Sequence, residues 1–343
     1  MTIPSSGGAS DTTLMPIGRE IATLSFPEEI GTLAWSPDQK LLAATNGWNT
    51  KVYLRGVDHD RELWQAPKMG TADERCLAFD KTGRYVIARS TIAVASENRE
   101  TSVSLLRVDN GHVFRHLGDE MPAVGSNAAA HFALSADQSL LAVILGSSSG
   151  RVGLYNTSTW ELTGHVGPLA NPYGVRQVAV DPLRNLVVFG VGNGEIQTWR
   201  IATNERLATF KAYDVELDYM VTNPLTGDIV TGGNASIERR WIPDLKAPPS
   251  PRAQGHMETF HDDQPTLVRA WDPLSGARRV TYTGPGQGVS ALTVSPDGRY
   301  VAAVKGGINL EAYLLMWDAG SGRLIGGIDY NHGTSNGGLA FSP

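Results

Sequence analysis

The chain has a single cysteine, Cys76, in 343 residues. An internal disulfide is excluded, so the fold must hold by packing and hydrogen bonding alone. Cys76 stands in the apolar run Cys76-Leu77-Ala78-Phe79, the setting of a buried small hydrophobe. A reducing, cytoplasmic compartment is the expected location, with a disulfide-free exported protein as the other reading. No apolar run approaches the ~18 residues of a helical membrane span. The first residues carry neither a basic patch nor an apolar core, so no signal peptide is read. No charge predominates: 29 Lys and Arg stand against 35 Asp and Glu, scattered, for a net charge of −6. Nucleic-acid backbones call for a basic stripe, and its lack disfavours such a partner. Catalytic signatures are missing too: there is no Gly-x-Ser-x-Gly elbow, no phosphate loop and no Cys–His pair with a local signature. No cofactor is expected.

Turn formers, in contrast, are plentiful. With 38 Gly and 19 Pro in a chain that is 41% hydrophobic, the composition is that of short strands joined by tight turns. The turns recur as Ser36-Pro37-Asp38-Gln39, Asp80-Lys81-Thr82-Gly83, Ser135-Ala136-Asp137-Gln138, Asp181-Pro182-Leu183-Arg184, Asn223-Pro224-Leu225-Thr226-Gly227 and Ser295-Pro296-Asp297-Gly298, with Phe341-Ser342-Pro343 a truncated seventh. Steps between them are 44, 55, 46, 42, 72 and 47 residues. A period of ~40–50 residues built from short strands predicts an array of propeller blades.

The first unit sets the layout. Thr32 to Trp35 is its inner strand, Leu41 to Ala44 the second, Lys51 to Leu54 the third, and Glu62 to Trp64 lies in the outer one. Inner strands must be small and apolar because neighbouring blades cover both faces. Later units span about 72–117, 127–166, 173–210, 215–284 and 287–328.

Their third strands end in Val108-Asp109, Tyr155-Asn156, Trp199-Arg200, Trp271-Asp272 and Trp317-Asp318. Over roughly residues 19–343 the chain thus resembles the WD-repeat family of β-propellers. It departs from the family in two ways. The Gly-His dipeptide that precedes a blade's first strand is nearly absent: Gly164-His165 and Gly255-His256 exist, neither followed by a clear inner strand. The Asp after the second strand is replaced by Asn193-Gly194, Asn234 or Ser149-Gly150. The family's buried His–Ser/Thr–Trp–Asp network is therefore expected to be incomplete, and the chain reads as a divergent, prokaryotic-type member.

The expected fold is all-β: a seven-bladed β-propeller of four-stranded antiparallel blades. A flexible tail over residues 1–13 precedes the propeller over 14–343, which carries an insertion at 243–265. A ring of blades must not leave an open edge. The seventh blade is expected to be split between the termini and incomplete, with Gly18 to Phe26 as its outer strand and Gly338 to Pro343 as a lone inner strand. A piece cut from a longer polypeptide, or a seventh blade of fewer than four strands, would look like this.

The resemblance implies a non-catalytic scaffold or sensor that binds a protein or peptide on its loop face, as part of a larger multidomain signalling or defence protein. The alternative is a propeller enzyme, lactonase-like or quinoprotein-like, with a metal or cofactor in the channel mouth. Trp48, between two strands, is an interface anchor or packs on the next blade. Arg75, Tyr173, Arg176, Asp218 and Tyr219 precede or open inner strands and are expected to ring the channel mouth. Arg99 sits at the tip of a lengthened loop, Ser90 to Ser102. His256 and His261 fall in the insertion, where the prolines at 247–251 bar a central strand. A solvated loop is the favoured reading of that segment, and two histidines five apart match no zinc motif. Long insertions are nevertheless frequent contact elements. His131 reads as a core or channel-lining histidine. No membrane partner is expected, and the oligomeric state stays open.

Overall fold

Strands covered on both faces need apolar side chains at every position, and the sequence supplies them in runs such as Leu186–Val191, all six residues of which are buried. The computed structural model describes residues 15–17, 23–24, 26–27, 30–46, 51–66, 77–93, 99–117, 131–144, 150–167, 174–181, 183–213, 217–233, 237–243, 255–261, 268–286, 288–306, 312–330 and 338–343. Blade 1 is β1 (Ile30–Trp35), β2 (Leu41–Asn46), β3 (Val52–Gly56) and β4 (Arg61–Gln65). Blade 2 is β5 (Leu77–Phe79), β6 (Tyr85–Ala93), β7 (Arg99–Arg107) and β8 (Val113–Leu117). Blade 3 is β9 (Phe132–Leu134), β10 (Leu140–Ile144), β11 (Val152–Asn156) and β12 (Leu162–Val166). Blade 4 is β13 (Val175–Asp181), β14 (Leu186–Val191), β15 (Glu195–Arg200) and β16 (Glu205–Lys211). Blade 5 starts with β17 (Leu217–Thr222) and β18 (Ile229–Gly233), leaves for a separate hairpin of β19 (Ile237–Pro243) and β20 (Gly255–His261), and resumes with β21 (Val268–Trp271) and β22 (Arg278–Tyr282). Blade 6 is β23 (Gly288–Val294), β24 (Tyr300–Gly306), β25 (Ala312–Asp318) and β26 (Leu324–Tyr330).

Every blade is a four-stranded antiparallel sheet, ordered from inner to outer strand along the chain. The turns joining first to second and third to outer strands therefore share one face of the ring, here the turn face; the remaining connections form the loop face. Burial falls outward. β14 is wholly buried, whereas β16 in the same blade has only exposed and half-buried residues.

Five apolar clusters seal the joins between successive blades, and each draws on both partners. Val52 and Leu54 meet Phe79 and Val86; Ile87 and Leu105 meet Leu141 and Tyr155; Leu154 and Val166 meet Val178 and Phe189. Ile196 meets Leu217 and Ile229, and Val230 meets Leu292 and Leu315. Burying one such side chain contributes about 1.5–3 kcal/mol, so the joins dominate stability.

A second device repeats at the rim. The ladder between third and outer strands slips in all six blades, as at Leu54/Arg55 and Met316/Trp317. The preceding turn ends on a residue with positive φ: Asp60, Gly111, Trp160, Asn204, Gly276 or Gly322. Two of these show why glycine is used. A Cβ on Gly111 would lie 2.8 Å from the ring of Trp64 in blade 1, and one on Gly276 would lie 2.8 Å from the ring of Phe210 in blade 4. In these two blades the turn thus rests on an outer-strand ring of the blade before it. Blade 3 uses another solution, since Trp160 fills the space itself, 4% exposed and edge-on to Tyr85 at 6.0 Å.

The expected Trp-centred network is present in part. In blade 5 the Trp271 indole donates to Thr231 Oγ1 at 2.9 Å, and the Tyr213 hydroxyl lies 3.0 Å from the same oxygen. In blade 6 the Trp317 indole donates instead to the Thr283 carbonyl at 2.7 Å.

The blade count corrects the sequence expectation: among the described residues six blades are present, not seven. The terminal segments do lie at the seventh position. Gly327 N–H donates to the Met15 carbonyl at 2.9 Å on β26, Phe26 packs edge-on to Tyr53 of blade 1, and Gly338 presses against the backbone of Gly31 and Thr32. They form no sheet, however. Between an inner and an outer segment a blade needs two further strands of several residues each, and among the described residues no stretch supplies them. The lengthened loop of blade 2 is also revised: β6 and β7 continue as a ladder to Ala93↔Arg99, so most of Ser90 to Ser102 is strand.

Candidate functional site

The inner strands of all six blades and the segment 338–341 surround one central cavity of about 530 Å³. Aligned on their turn residues, these seven segments line it in tiers. The tier nearest the turn face is mostly large and apolar, with Trp35, Phe79, Leu134, Val294 and Phe341. The next is alanine in five places: Ala34, Ala78, Ala133, Ala179 and Ala340. Seven converging segments leave room only for small side chains there. Toward the loop face come Thr32, His131, Gln177 and Tyr219. Among the described residues, no Asp, Glu, Lys or Arg lines the cavity. Nor does any group of three or more His, Cys, Asp or Glu side chains converge as a metal site would require, again among the described residues.

The sequence candidates fall out unevenly. Trp48, Arg75 and Tyr173 lie outside the described residues. Arg176 is exposed near the start of β13, and Asp218 and Tyr219, near the start of β17, are half-buried. These three do gather at the loop-face ends of adjacent inner strands. Two of them take part in stitching the ring: the Asp218 carbonyl accepts from Gln177 Nε2 at 2.6 Å, and the Tyr219 hydroxyl donates to the Ser290 carbonyl. Arg99 opens β7 at the tip of its hairpin, opposite Ala93. His256 pairs with Ile242 and His261 with Ile237, in a strand rather than an irregular loop.

Sequence reasoning missed a feature of the turn face. The inner turns of blades 1, 3 and 6 are stapled alike. The hydroxyls of Ser36, Ser135 and Ser295 donate to Asp38, Asp137 and Asp297 at 2.6–2.7 Å and accept the N–H of residues 41, 140 and 300 at 2.9–3.0 Å. The Ser36 hydroxyl draws the Asp38 carboxyl below the usual carboxylate range, and Ser295 does the same to Asp297. At the aspartate position blades 4 and 5 have Leu183 and Leu225, exposed at 86% and 67%, with Leu274 of the next blade 5 turn at 48%.

Arg184 fixes the turns of blades 4 and 5 side by side. Its Nε donates to Asp181 at 2.7 Å and its Nη2 to the Thr226 carbonyl at 3.0 Å. Beside Leu274, Arg279 pairs with Asp272, whose carboxyl is held down to about 2, chiefly by the Ser275 N–H, with burial acting the other way. Leu183 and Leu225 thus stand solvent-facing on the two neighbouring turns that Arg184 joins, each arginine being paired with an aspartate of its own blade. The signal that could have found these leucines is the Pro-Leu pair at one repeat position, 182–183 and 224–225.

No described helix is long and apolar enough to cross a membrane. Comparison with known proteins finds no family model and no curated protein that the chain matches.

Proposed function

We propose that the chain is a non-catalytic, protein-binding β-propeller, a divergent relative of WD-repeat proteins, that acts as a scaffold or sensor and meets its partner on the turn face of blades 4 and 5. One observation carries this reading. At a position where three blades place a staple-forming aspartate, two neighbouring blades place leucines open to solvent. Exposed leucine does nothing for the turn itself, since Asp181 and Asn223 already accept the turn N–H groups. Apolar anchors on two neighbouring turns joined by a paired arginine match the anatomy of protein interfaces. The exposed Arg176 on the loop face supports a second contact, suited to a peptide.

Cross-linking and co-purification from the source cells test the reading. The double variant L183S/L225S should lose a stoichiometric partner that R176A retains. A dimer dissolved by the same double substitution would make the partner a second copy. Recovery of every stoichiometric species at unchanged yield by L183S/L225S would refute the proposal.

A further inference from the structure

Blade 2 breaks a second repeat pattern, one that the leucines of blades 4 and 5 do not touch. The residue opening the turn between third and outer strands is marked by two backbone bonds. Its N–H donates to the carbonyl five residues on, and its carbonyl accepts from the N–H four residues on. Asn156, Asp272, Asp318 and Arg107 all stand in this place. In blades 3, 5 and 6 the side chain there accepts an N–H of its own turn: Asn156 from Ser158, Asp272 from Leu274 and Asp318 from Ser321. Arginine has no acceptor and cannot do this.

Seven residues on, at the slip in the ladder, blade 5 has Arg279 and blade 2 has Phe114. In blade 5 the two places hold an ion pair, Asp272 with Arg279. In blade 2 they hold a cation and a ring, with the Arg107 guanidinium 4.9 Å from the Phe114 centroid. Phe114 lies 4.9 Å from Tyr85, and the Arg84 guanidinium lies 5.9 Å from the same tyrosine. Arg84, Tyr85, Phe114 and Arg107 thus form one ladder on the turn-face rim.

This ladder is open to solvent. Phe114 is 42% exposed, and both arginines are exposed. Arg84 Nε donates to the Thr82 hydroxyl at 3.2 Å. The flanking turns 80–84, 107–112 and 156–161 are all described, and none of their carboxylates, Asp80, Asp109 and Glu161, forms an ion pair with either guanidinium. Asp80 is spent instead on its own turn, accepting from the Thr82 hydroxyl and the Tyr85 N–H. A guanidinium lying on a ring keeps its N–H edge free, and that edge matches a carboxylate. The exposed phenyl group beside it is suited to cover by an apolar side chain. A nucleic acid fits worse, because two arginines on a chain of net charge −6 are not the basic stripe that a phosphate backbone needs.

We infer that the rim of blade 2 docks an acidic segment of a protein partner, with an aromatic residue of that segment against Phe114 and its carboxylates on Arg84 and Arg107. The contact is separate from the leucines of blades 4 and 5.

Fluorescence anisotropy with labelled peptides and the full chain tests it. The peptide Glu-Glu-Phe-Glu-Glu is expected to bind, more weakly as salt is raised. Lys-Lys-Phe-Lys-Lys and Glu-Glu-Gly-Glu-Glu should each bind about tenfold more weakly or worse. R84Q/R107Q should weaken the acidic peptide by about the same factor. R279Q, at the equivalent rim of blade 5, should bind it like the parent. Thermal melts of each variant, compared with the parent, establish that the ring is intact. Absence of binding, equal binding of the lysine peptide, or an R84Q/R107Q variant that binds like the parent would each overturn the assignment. Tighter binding of an oligothymidylate than of the acidic peptide would overturn it in favour of nucleic acid. L183S/L225S should bind the acidic peptide normally, which keeps the failure of one proposal distinct from the failure of the other.

Discussion

Individual side chains set limits that measurement can reach. At Gly111, φ of 72° and the Trp64 ring both oppose a Cβ, whereas a Cβ on Gly164 in β12 meets nothing within 4 Å. Gly111→Ala is therefore expected to destabilise by about 2–3 kcal/mol and Gly164→Ala by less than about 0.5 kcal/mol in urea melts. Lys305 is a second test. It is wholly buried in β24, with its ammonium donating to the Gly284 carbonyl at 3.1 Å, and burial pushes its pKa down to about 8. Because the folded pKa lies below the unfolded one, the unfolded state holds more protons between pH 8 and 10.5, and stability should rise across that window. Lys305→Met should flatten the rise, which urea midpoints at pH 7, 9 and 10 would show. Above pH 10 the buried hydroxyls of Tyr213 and Tyr282, both pushed up by burial, act in the opposite direction. Neither glycine contact nor lysine burial was legible in the sequence, because each depends on what a neighbouring blade or loop brings to that point.

At the scale of elements, the inner turns explain why the blade period could be read from the chain. Ser36, Ser135 and Ser295 close their turns by local hydrogen bonds, so residue type and structure coincide within six positions. The depressed carboxyls of Asp38 and Asp297 favour the folded state above pH 4, and this contribution is lost as the pH falls through their folded values. The double variant D38N/D297N should accordingly show a shallower loss of stability between pH 4 and 2.5 by circular dichroism. The ribbon of β19 and β20 was legible only as an insertion. Its proline run drew attention to 247–251, whereas pairing between 237–243 and 255–261 is a register that turn signals do not specify. Leu183 and Leu225 were hidden for the opposite reason, since an exposed leucine and a buried one look alike until burial is known. Their replacement by serine is expected to shift the urea midpoint by no more than about 0.5 kcal/mol, leaving the proposed contact as the effect to be seen.

Over the whole molecule, the ring is a chain of nearest-neighbour joins. Phe189 is fully buried between blades 3 and 4, and Phe189→Ala should cost about 3–5 kcal/mol, read as a lower melting temperature. The join between blades 6 and 1 is of another kind. Among the described residues it has no apolar cluster of its own and relies on single contacts at Met15, Phe26, Gly338 and Pro343. The seven-blade expectation failed here because, among the described residues, the terminal segments dock by these contacts and pair into no sheet. Mechanically, such a ring is a lock washer rather than a hoop. Tension applied between the chain ends concentrates on one seam, which parts at low force while the five sealed joins carry almost none of the load. Force spectroscopy should then record a small early extension, followed by rupture of the remaining blades at markedly higher force.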